Sequence, residues 1–180
     1  MKSIDRSPRV TLLTGPRGAG KTSCVLKLTA ALVRLGIDVF GVATPKIFSG
    51  EDMIGLAVRD LFSSKQIQLA RYDDEPGLRQ GPWRFSPEGI RFANNACDPF
   101  RRSGMAVIDE IGPLELRGQG FSTAFNALKA GDYPRALVVV RPDLTDEVAR
   151  FIKGDVALIQ WEPRCRELLM KHIERFMKPD

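Results

Sequence analysis

Two short segments of this chain carry residues whose types and spacing could do phosphate chemistry. The first, residues 15–22, reads G-P-R-G-A-G-K-T and fits the spacing G-x-x-x-x-G-K-T/S. Its glycines let successive backbone N–H groups curl around polyphosphate oxygens, in conformations that side chains would obstruct. Lys21 can reach the β- and γ-phosphates, and the Thr22 hydroxyl can bind Mg²⁺. The segment predicts a phosphate-binding loop for a nucleoside triphosphate.

The residues on either side of this loop predict the elements that such a loop needs. Residues 10–13 form a short, β-branched and apolar run that indicates a buried strand. After the loop, apolar residues recur at helical spacing, at Val25, Leu28, Leu32 and Leu35, and Gly36 follows where a C-terminal cap belongs. The predicted helix aims its positive end at the bound anion. We expect the nucleotide to contact Gly15, Pro16, Arg17, Gly18, Ala19, Gly20, Lys21, Thr22 and Ser23.

The second segment is an apolar strand that ends in two acids, as a Walker B motif requires. Residues 105–108 read M-A-V-I and lead directly into Asp109 and Glu110. Ligands of open parallel sheets bind beyond the carboxyl ends of the strands, so Asp109 is expected beside the loop as a second Mg²⁺ ligand. Glu110 is placed to orient or deprotonate the attacking water. Such an acidic pair can also simply begin a turn, but the complete loop upstream favours the catalytic interpretation.

Three arginines are candidates for stabilising charge on the γ-phosphate. Arg141 ends the predicted strand that follows the acidic pair, and it is assigned a catalytic role as an arginine finger. The alternative, a surface arginine before the turn at residues 142–143, remains equally open. Arg17, within the loop itself, could contact either phosphate or a neighbouring subunit, and Arg117 is a further finger candidate.

The rest of the chain predicts alternating strands and helices, and therefore an α/β fold with a mostly parallel sheet covered on both faces. A second core strand is expected at residues 38–44, followed by a small antiparallel hairpin extension from runs at residues 54–58 and 66–70. Residues 72–82 are rich in Asp, Gly and Pro and predict an exposed loop. The remaining predictions are helices from Ser86 to residues 100–102, at residues 122–130, at residues 146–153 and after Pro163, with strands at residues 136–140 and 156–160.

Length and composition predict a single domain, residues 1–180, with 43% hydrophobic and 27% charged residues. The first ten residues are polar and charged, and the longest aliphatic run, residues 136–140, is too short to span a membrane. We therefore expect a cytoplasmic protein without membrane insertion. The net charge of +5 suits a polyanionic ligand. Nucleic acid is a possible partner with weak support, because the aromatic residues interleaved with basic ones that favour single-strand binding are missing.

Cysteine and histidine usage argues against metal and disulfide frameworks. Cys24, Cys97 and Cys165 are widely separated and form no C-x-x-C pair. His172 is the only histidine, which disfavours a histidine metal site or a Ser-His-Asp triad, and it is expected on the surface of the last helix.

Together, residues 14–22 and 107–116 resemble the small P-loop nucleoside-triphosphatase family, whose Walker B continues as Asp-Glu-Ile-Gly, a hydrophobic step and Glu-Leu. The resemblance implies a three-layer P-loop NTPase sandwich, a Mg²⁺ cofactor and hydrolysis of nucleoside triphosphates to diphosphate and phosphate, with tolerance of different bases. The family's Asn-Arg pair near the last helix looks like Cys165-Arg166 here, so Arg166 is expected near the base or ribose. The family's acid and arginine after the second strand are absent from residues 44–48, where Lys46 and Phe48 stand instead.

Two other functions fit the same motifs. A nucleotide or nucleoside kinase would transfer the phosphate to a small acceptor, whereas a water-activating glutamate beside the metal favours hydrolysis. A nucleotide-switched partner-binding ATPase would turn over little until its partner is present. The tetrapeptide Asn-Lys-x-Asp occurs nowhere in the chain, so guanine specificity has no support.

Overall fold

The computed structural model describes residues 9–72, 77–164, 167 and 169–171. Its strands are β1 (Val10–Thr14), β2 (Val39–Ala43), β3 (Lys46–Ser49), β4 (Asp52–Asp60), β5 (Gln66–Arg71), β6 (Leu78–Gln80), β7 (Trp83–Phe85), β8 (Met105–Ile111), β9 (Arg135–Val140) and β10 (Val156–Gln160). Its helices are α1 (Lys21–Arg34), α2 (Pro87–Ala96), α3 (Pro113–Leu116), α4 (Ser122–Ala130) and α5 (Thr145–Phe151), and Pro142–Leu144 form a 3-10 turn. Among these described elements, no helix is long and apolar enough to cross a membrane.

Within the described residues, ten strands form one sheet in the order β10-β1-β9-β8-β2-β4-β5-β7-β6, with β3 paired to β4. The strands from β10 to β2 are parallel to one another. Thr14 at the end of β1 lies opposite Val140 of β9 and Gln160 of β10, so these strands end at a common edge. Asp109 lies opposite Val139, close to the same edge. The register therefore brings the loop after β1 and the acids of β8 to one side of the sheet, with β9 between them.

Helices cover both faces of the parallel strands. On one face, α1 buries Cys24, Val25, Leu28 and Leu32 against residues of β1, β2, β8 and β9. On the other face, α2, α4 and α5 contribute residues such as Ala93, Phe125 and Val148 to a second core cluster. Cys24 and Cys97 are buried in different clusters. The three-layer sandwich predicted from the sequence is confirmed.

The ends of the first two helices show how local residues set them. Just after α1, Gly36 adopts φ 77°, and the N–H of Ile37 donates to the carbonyl of Leu32, the pattern that closes a helix with glycine. Ser86 begins α2, because its Oγ accepts a hydrogen bond from Gly89 N at 2.9 Å. The predicted continuation of α2 to residues 100–102 is wrong. It ends at Ala96 because Pro99 pushes the residue before it out of the helical region.

The antiparallel part of the sheet is larger than the predicted hairpin. The two predicted runs form β4 and β5 and pair as expected, but β3, β6 and β7 extend the sheet further. The predicted loop over residues 72–82 is wrong in part, since residues 78–80 form β6, while residues 73–76 lie outside the described part of the chain. Strands of three residues give no alternating pattern, and β6 forms only by pairing with β7.

Candidate active site

The loop between β1 and α1 has the backbone shape that phosphate binding needs. Gly15 and Gly20 adopt φ of 151° and 98°, conformations that side-chain-bearing residues rarely adopt. Lys21, the first residue of α1, is 8% exposed. Its Nζ donates to the carbonyls of Gly15 at 2.6 Å and Pro16 at 2.8 Å. The lysine ammonium therefore lies inside the curve of the loop.

Asp109 lies beside this loop and is 2% exposed. Its Oδ2 accepts a hydrogen bond from the Thr44 N–H at 3.3 Å. Burial raises the pKa of Asp109 to about 6, and a hydrogen bond with the Thr22 side chain, the Thr44 N–H and the charge of Lys21 oppose that rise. The fold thus brings Thr22, Lys21 and Asp109 together, although Thr22 and Asp109 are 87 positions apart in the sequence.

Glu110 and Arg141 form an ion pair next to Asp109. Arg141 Nε donates to Glu110 Oε1 at 3.0 Å, and the two side chains are 21% and 31% exposed. Arg141 therefore stands at the predicted end of the sheet and holds the carboxylate predicted to direct water. Its action on a γ-phosphate stays a prediction.

A cavity of about 70 Å³ borders this ion pair. Its lining includes the charged side chains of Glu110 and Arg141 and the apolar residues Leu56, Leu69 and Phe85 of the antiparallel strands.

The remaining residues singled out in the sequence lie in different surroundings. Arg17 is exposed in the phosphate loop. Arg117 Nη2 donates to Gln80 Oε1 at 2.6 Å, so this finger candidate is held by β6. Arg166, Cys165 and His172 lie outside the described residues. In the described part of the chain, His, Cys, Asp and Glu side chains form no cluster of three or more that could hold a metal.

Glu115 has a structural position that the sequence reasoning did not assign. It is 6% exposed, and its two oxygens accept backbone hydrogen bonds from Gly112 and Phe121, each at 2.8 Å. Burial raises the pKa of Glu115, while the Phe121 and Gly112 N–H groups favour the ionised form. Glu115 therefore ties down the segment that follows Glu110. The sequence signal for this role was the position of Glu115 three residues after Gly112, the glycine at the start of the short helix α3.

Trp161 is the second residue that the sequence reasoning missed. It directly follows β10, and its N–H donates to the Thr14 carbonyl at 2.7 Å. A Cβ on Gly15 would lie 2.4 Å from Trp161 Cβ. The available signal was its position just after the strand that borders β1, at the edge where ligands bind.

The parallel sheet carries a glycine-rich loop after β1 and two acids near the end of β8, and β9 lies between these two strands. This arrangement defines a P-loop nucleotide-binding protein. Comparison with known families narrows this class. A family model described as NTPase matches residues 10–174. The chain belongs to the NTPase family, and the resemblance seen in its sequence is confirmed.

Individual relatives agree with this assignment. The nucleoside-triphosphatase THEP1 of Thermofilum pendens is 31% identical over 168 residues, which cover 91% of this chain and 92% of the relative. The THEP1 of Ignicoccus hospitalis is 32% identical over 139 residues, 75% of this chain and 77% of the relative.

Two solved structures share the fold. A human cancer-related nucleoside triphosphatase superposes with a TM-score of 0.73 at 26% identity, covering 94% of this chain and 97% of that protein. THEP1 of the hyperthermophile Aquifex aeolicus gives a TM-score of 0.70 over 94% of this chain and 99% of its own, and at 18% identity it supports the fold alone. Hydrolysis of nucleoside triphosphates, predicted from the sequence, is thus supported by the family and its relatives.

Proposed function

We propose that this protein hydrolyses nucleoside triphosphates to nucleoside diphosphate and phosphate in a Mg²⁺-dependent reaction that tolerates different bases. The observation that carries the proposal is the convergence of Lys21, Thr22 and Asp109 at one edge of the sheet. Phosphoryl transfer needs mainly positioning and electrostatic stabilisation, so these groups suffice without a covalent intermediate. The N–H groups of the loop and the Lys21 ammonium would bind the triphosphate.

The residues present fit a Mg²⁺ ion. The Thr22 hydroxyl and the Asp109 carboxylate are adjacent oxygen donors, and Mg²⁺ prefers oxygen ligands. A Mg²⁺ site in such proteins uses one or two protein oxygens together with substrate phosphates, so no cluster of three acids is needed. When bound, the metal would neutralise charge on the phosphate oxygens. Thr22 and Asp109 would hold it, and the deprotonated form of Asp109 is the one that binds.

Glu110 and Arg141 would divide the remaining tasks. Glu110 is partly exposed, so water reaches its carboxylate, which would orient or deprotonate the attacking molecule. Arg141 Nε donates to Glu110 Oε1 at 3.0 Å, and Arg141 would stabilise charge that develops on the γ-phosphate. A cytoplasmic location and a single domain, both expected from the sequence, stay predictions.

Phosphate release against a panel of ribo- and deoxyribonucleoside triphosphates, with and without Mg²⁺, tests this proposal. We expect phosphate release from triphosphates of several different bases, and this release should stop when Mg²⁺ is chelated. Lys21→Ala should weaken nucleotide binding, whereas Lys27→Ala, an exposed lysine of the same helix, should behave as wild type. Phosphate that appears on an added nucleoside rather than as free phosphate would contradict hydrolysis and favour the kinase alternative.

A further inference from the structure

The indole of Trp161 lies beside the first and the last glycine of the phosphate loop, Gly15 and Gly20. Its backbone is fixed beside β1 by the hydrogen bond from its N–H to the Thr14 carbonyl, 2.7 Å long. A Cβ on Gly15 would meet Trp161 Cβ at 2.4 Å, and a Cβ on Gly20 would lie 3.6 Å from Trp161 Cζ2. The side chain therefore extends from the first glycine of the loop to the last, and its six-membered ring lies nearest the N-terminus of α1.

Only part of the Trp161 side chain is buried. It packs at the margin of the core cluster that contains α1, and it stays partly exposed to solvent. A large aromatic ring that is only partly buried has a surface free to contact a ligand. Gly15 leaves room for Trp161 against the loop, because a Cβ at Gly15 would collide with Trp161 Cβ.

A nucleotide bound as proposed would have its base near this ring. Its triphosphate would bind at the N–H groups of the loop and the N-terminus of α1, beside which the six-membered ring of Trp161 lies. The base is joined to the α-phosphate through a single ribose, so it leaves the loop within reach of its flanks. Every purine and pyrimidine has a π-face, and stacking on an aromatic side chain is tolerant of base identity.

We propose that Trp161 is the platform on which the nucleobase stacks, and that this contact gives base-tolerant binding. The proposal rests on the proposed nucleotide hydrolysis and specifies how the same site recognises its substrate. Recognition by stacking needs no hydrogen bond to a base edge. It therefore explains tolerance of different bases by a positive contact rather than by the lack of one.

Comparing the binding of a nucleotide with that of inorganic tripolyphosphate, which has no base, separates base stacking by Trp161 from a role of Trp161 in shaping the loop. Calorimetric titration of the full chain with ATP, UTP and tripolyphosphate would be compared for wild type, Trp161→Phe and Trp161→Leu. We expect Trp161→Leu to weaken ATP and UTP binding by about 5- to 100-fold and to leave tripolyphosphate binding within about twofold of wild type. Trp161→Phe keeps a smaller ring, so its affinity for ATP and UTP should lie between those of the wild type and Trp161→Leu.

The second tryptophan supplies a matched control and a second readout. Trp83 of β7 stacks on Tyr72, with ring centroids 3.8 Å apart, and lies away from the phosphate loop. Trp83→Phe should bind nucleotides as wild type does and leaves Trp161 as the sole tryptophan. In that background, ATP should change the Trp161 fluorescence strongly and tripolyphosphate should change it little, even if Trp161→Leu fails to fold.

The outcomes distinguish this proposal from the proposed function. Equal losses for ATP and tripolyphosphate would show that Trp161 supports the loop, and unchanged binding of both would show that the ring does not touch the base. Either result overturns stacking while phosphate release by the wild type stands. The predicted fluorescence change in the Trp83→Phe variant, together with no phosphate release by the wild type, would overturn hydrolysis instead.

Discussion

Replacing Asp109 by Asn should change how the stability of the protein depends on pH. Burial raises the pKa of Asp109 to about 6 in the folded state, from 3.8 without such burial. The native state therefore binds this proton more tightly than the unfolded chain does. The stabilisation that follows is fully present below pH 4 and is lost as the pH rises through about 6.

The size of this effect follows from the difference between the two pKa values. A difference of about two units corresponds to about 3 kcal/mol across the full pH range, of which about 1 kcal/mol falls between pH 5 and pH 7. Asn at position 109 has nearly the same shape, keeps an acceptor for the Thr44 N–H and carries no charge. At pH 7 without Mg²⁺, the Asn variant should therefore be the more stable protein.

Urea unfolding of wild type and Asp109→Asn at several pH values between 5 and 7.5, with the metal chelated, measures this effect. Because other carboxylates titrate in both proteins, the difference between the two unfolding free energies is the informative quantity. It should shift by about 1 kcal/mol in favour of Asn as the pH rises. Saturating Mg²⁺ should then stabilise the wild type and leave the variant unchanged. A difference that stays constant with pH would refute the reasoning.

Three further substitutions test the roles of single groups. Lys21→Ala should weaken nucleotide binding by about 1.5–3 kcal/mol in calorimetric titrations, the size of a lost charge-assisted contact; wild-type affinity would contradict its role. Arg141→Ala should change the unfolding free energy by less than about 1 kcal/mol, because its partly exposed pair with Glu110 is screened. Its turnover should fall about 10³-fold or more, and a fall below about tenfold would exclude a finger role. Glu115→Ala leaves two buried N–H groups without an acceptor, so its unfolding free energy in urea should drop by about 2 kcal/mol or more. Glu115→Gln keeps one acceptor and should lose less; equal stability of the two variants would argue against these hydrogen bonds.

Local sequence predicts the elements whose causes are local. The phosphate loop, α1 with its closing glycine and the start of α2 at Ser86 depend on residues within a few positions of one another. The apolar runs of β1, β8 and β9 are buried on both faces, and that burial makes them recognisable without alternation.

The missed features depend on contacts between distant segments. The strand β6 and the bond from Arg117 to Gln80 exist only because β6 and β7 extend the sheet beyond β5. The position of Trp161 on the phosphate loop depends on β10 pairing with β1, across more than a hundred residues of chain. No local spacing reveals such pairings, although parallel topology alone places the ends of these strands at one edge.

The acids of the site were predicted in part, because their position has a local signal but their partners come from distant segments. Their position after an apolar strand predicted that Asp109 lies beside the phosphate loop. The sequence did not predict that Glu110 is held by Arg141, or that Glu115 fixes the following segment through Gly112. Those partners come from the register of β8 with β9 and from the path of the chain after Ile111.

The central claim is that the carboxylate after β8 directs water toward a triphosphate held by the loop after β1. Glu110→Gln keeps the size of the side chain and an oxygen that can accept from Arg141, but removes the charge. Phosphate release and nucleotide affinity of this variant, beside Glu51→Gln as an exposed control, measure the claim most directly. Turnover should fall about 10²-fold or more with affinity unchanged, and the control should match wild type. Phosphate release by Glu110→Gln at the wild-type rate would contradict the account.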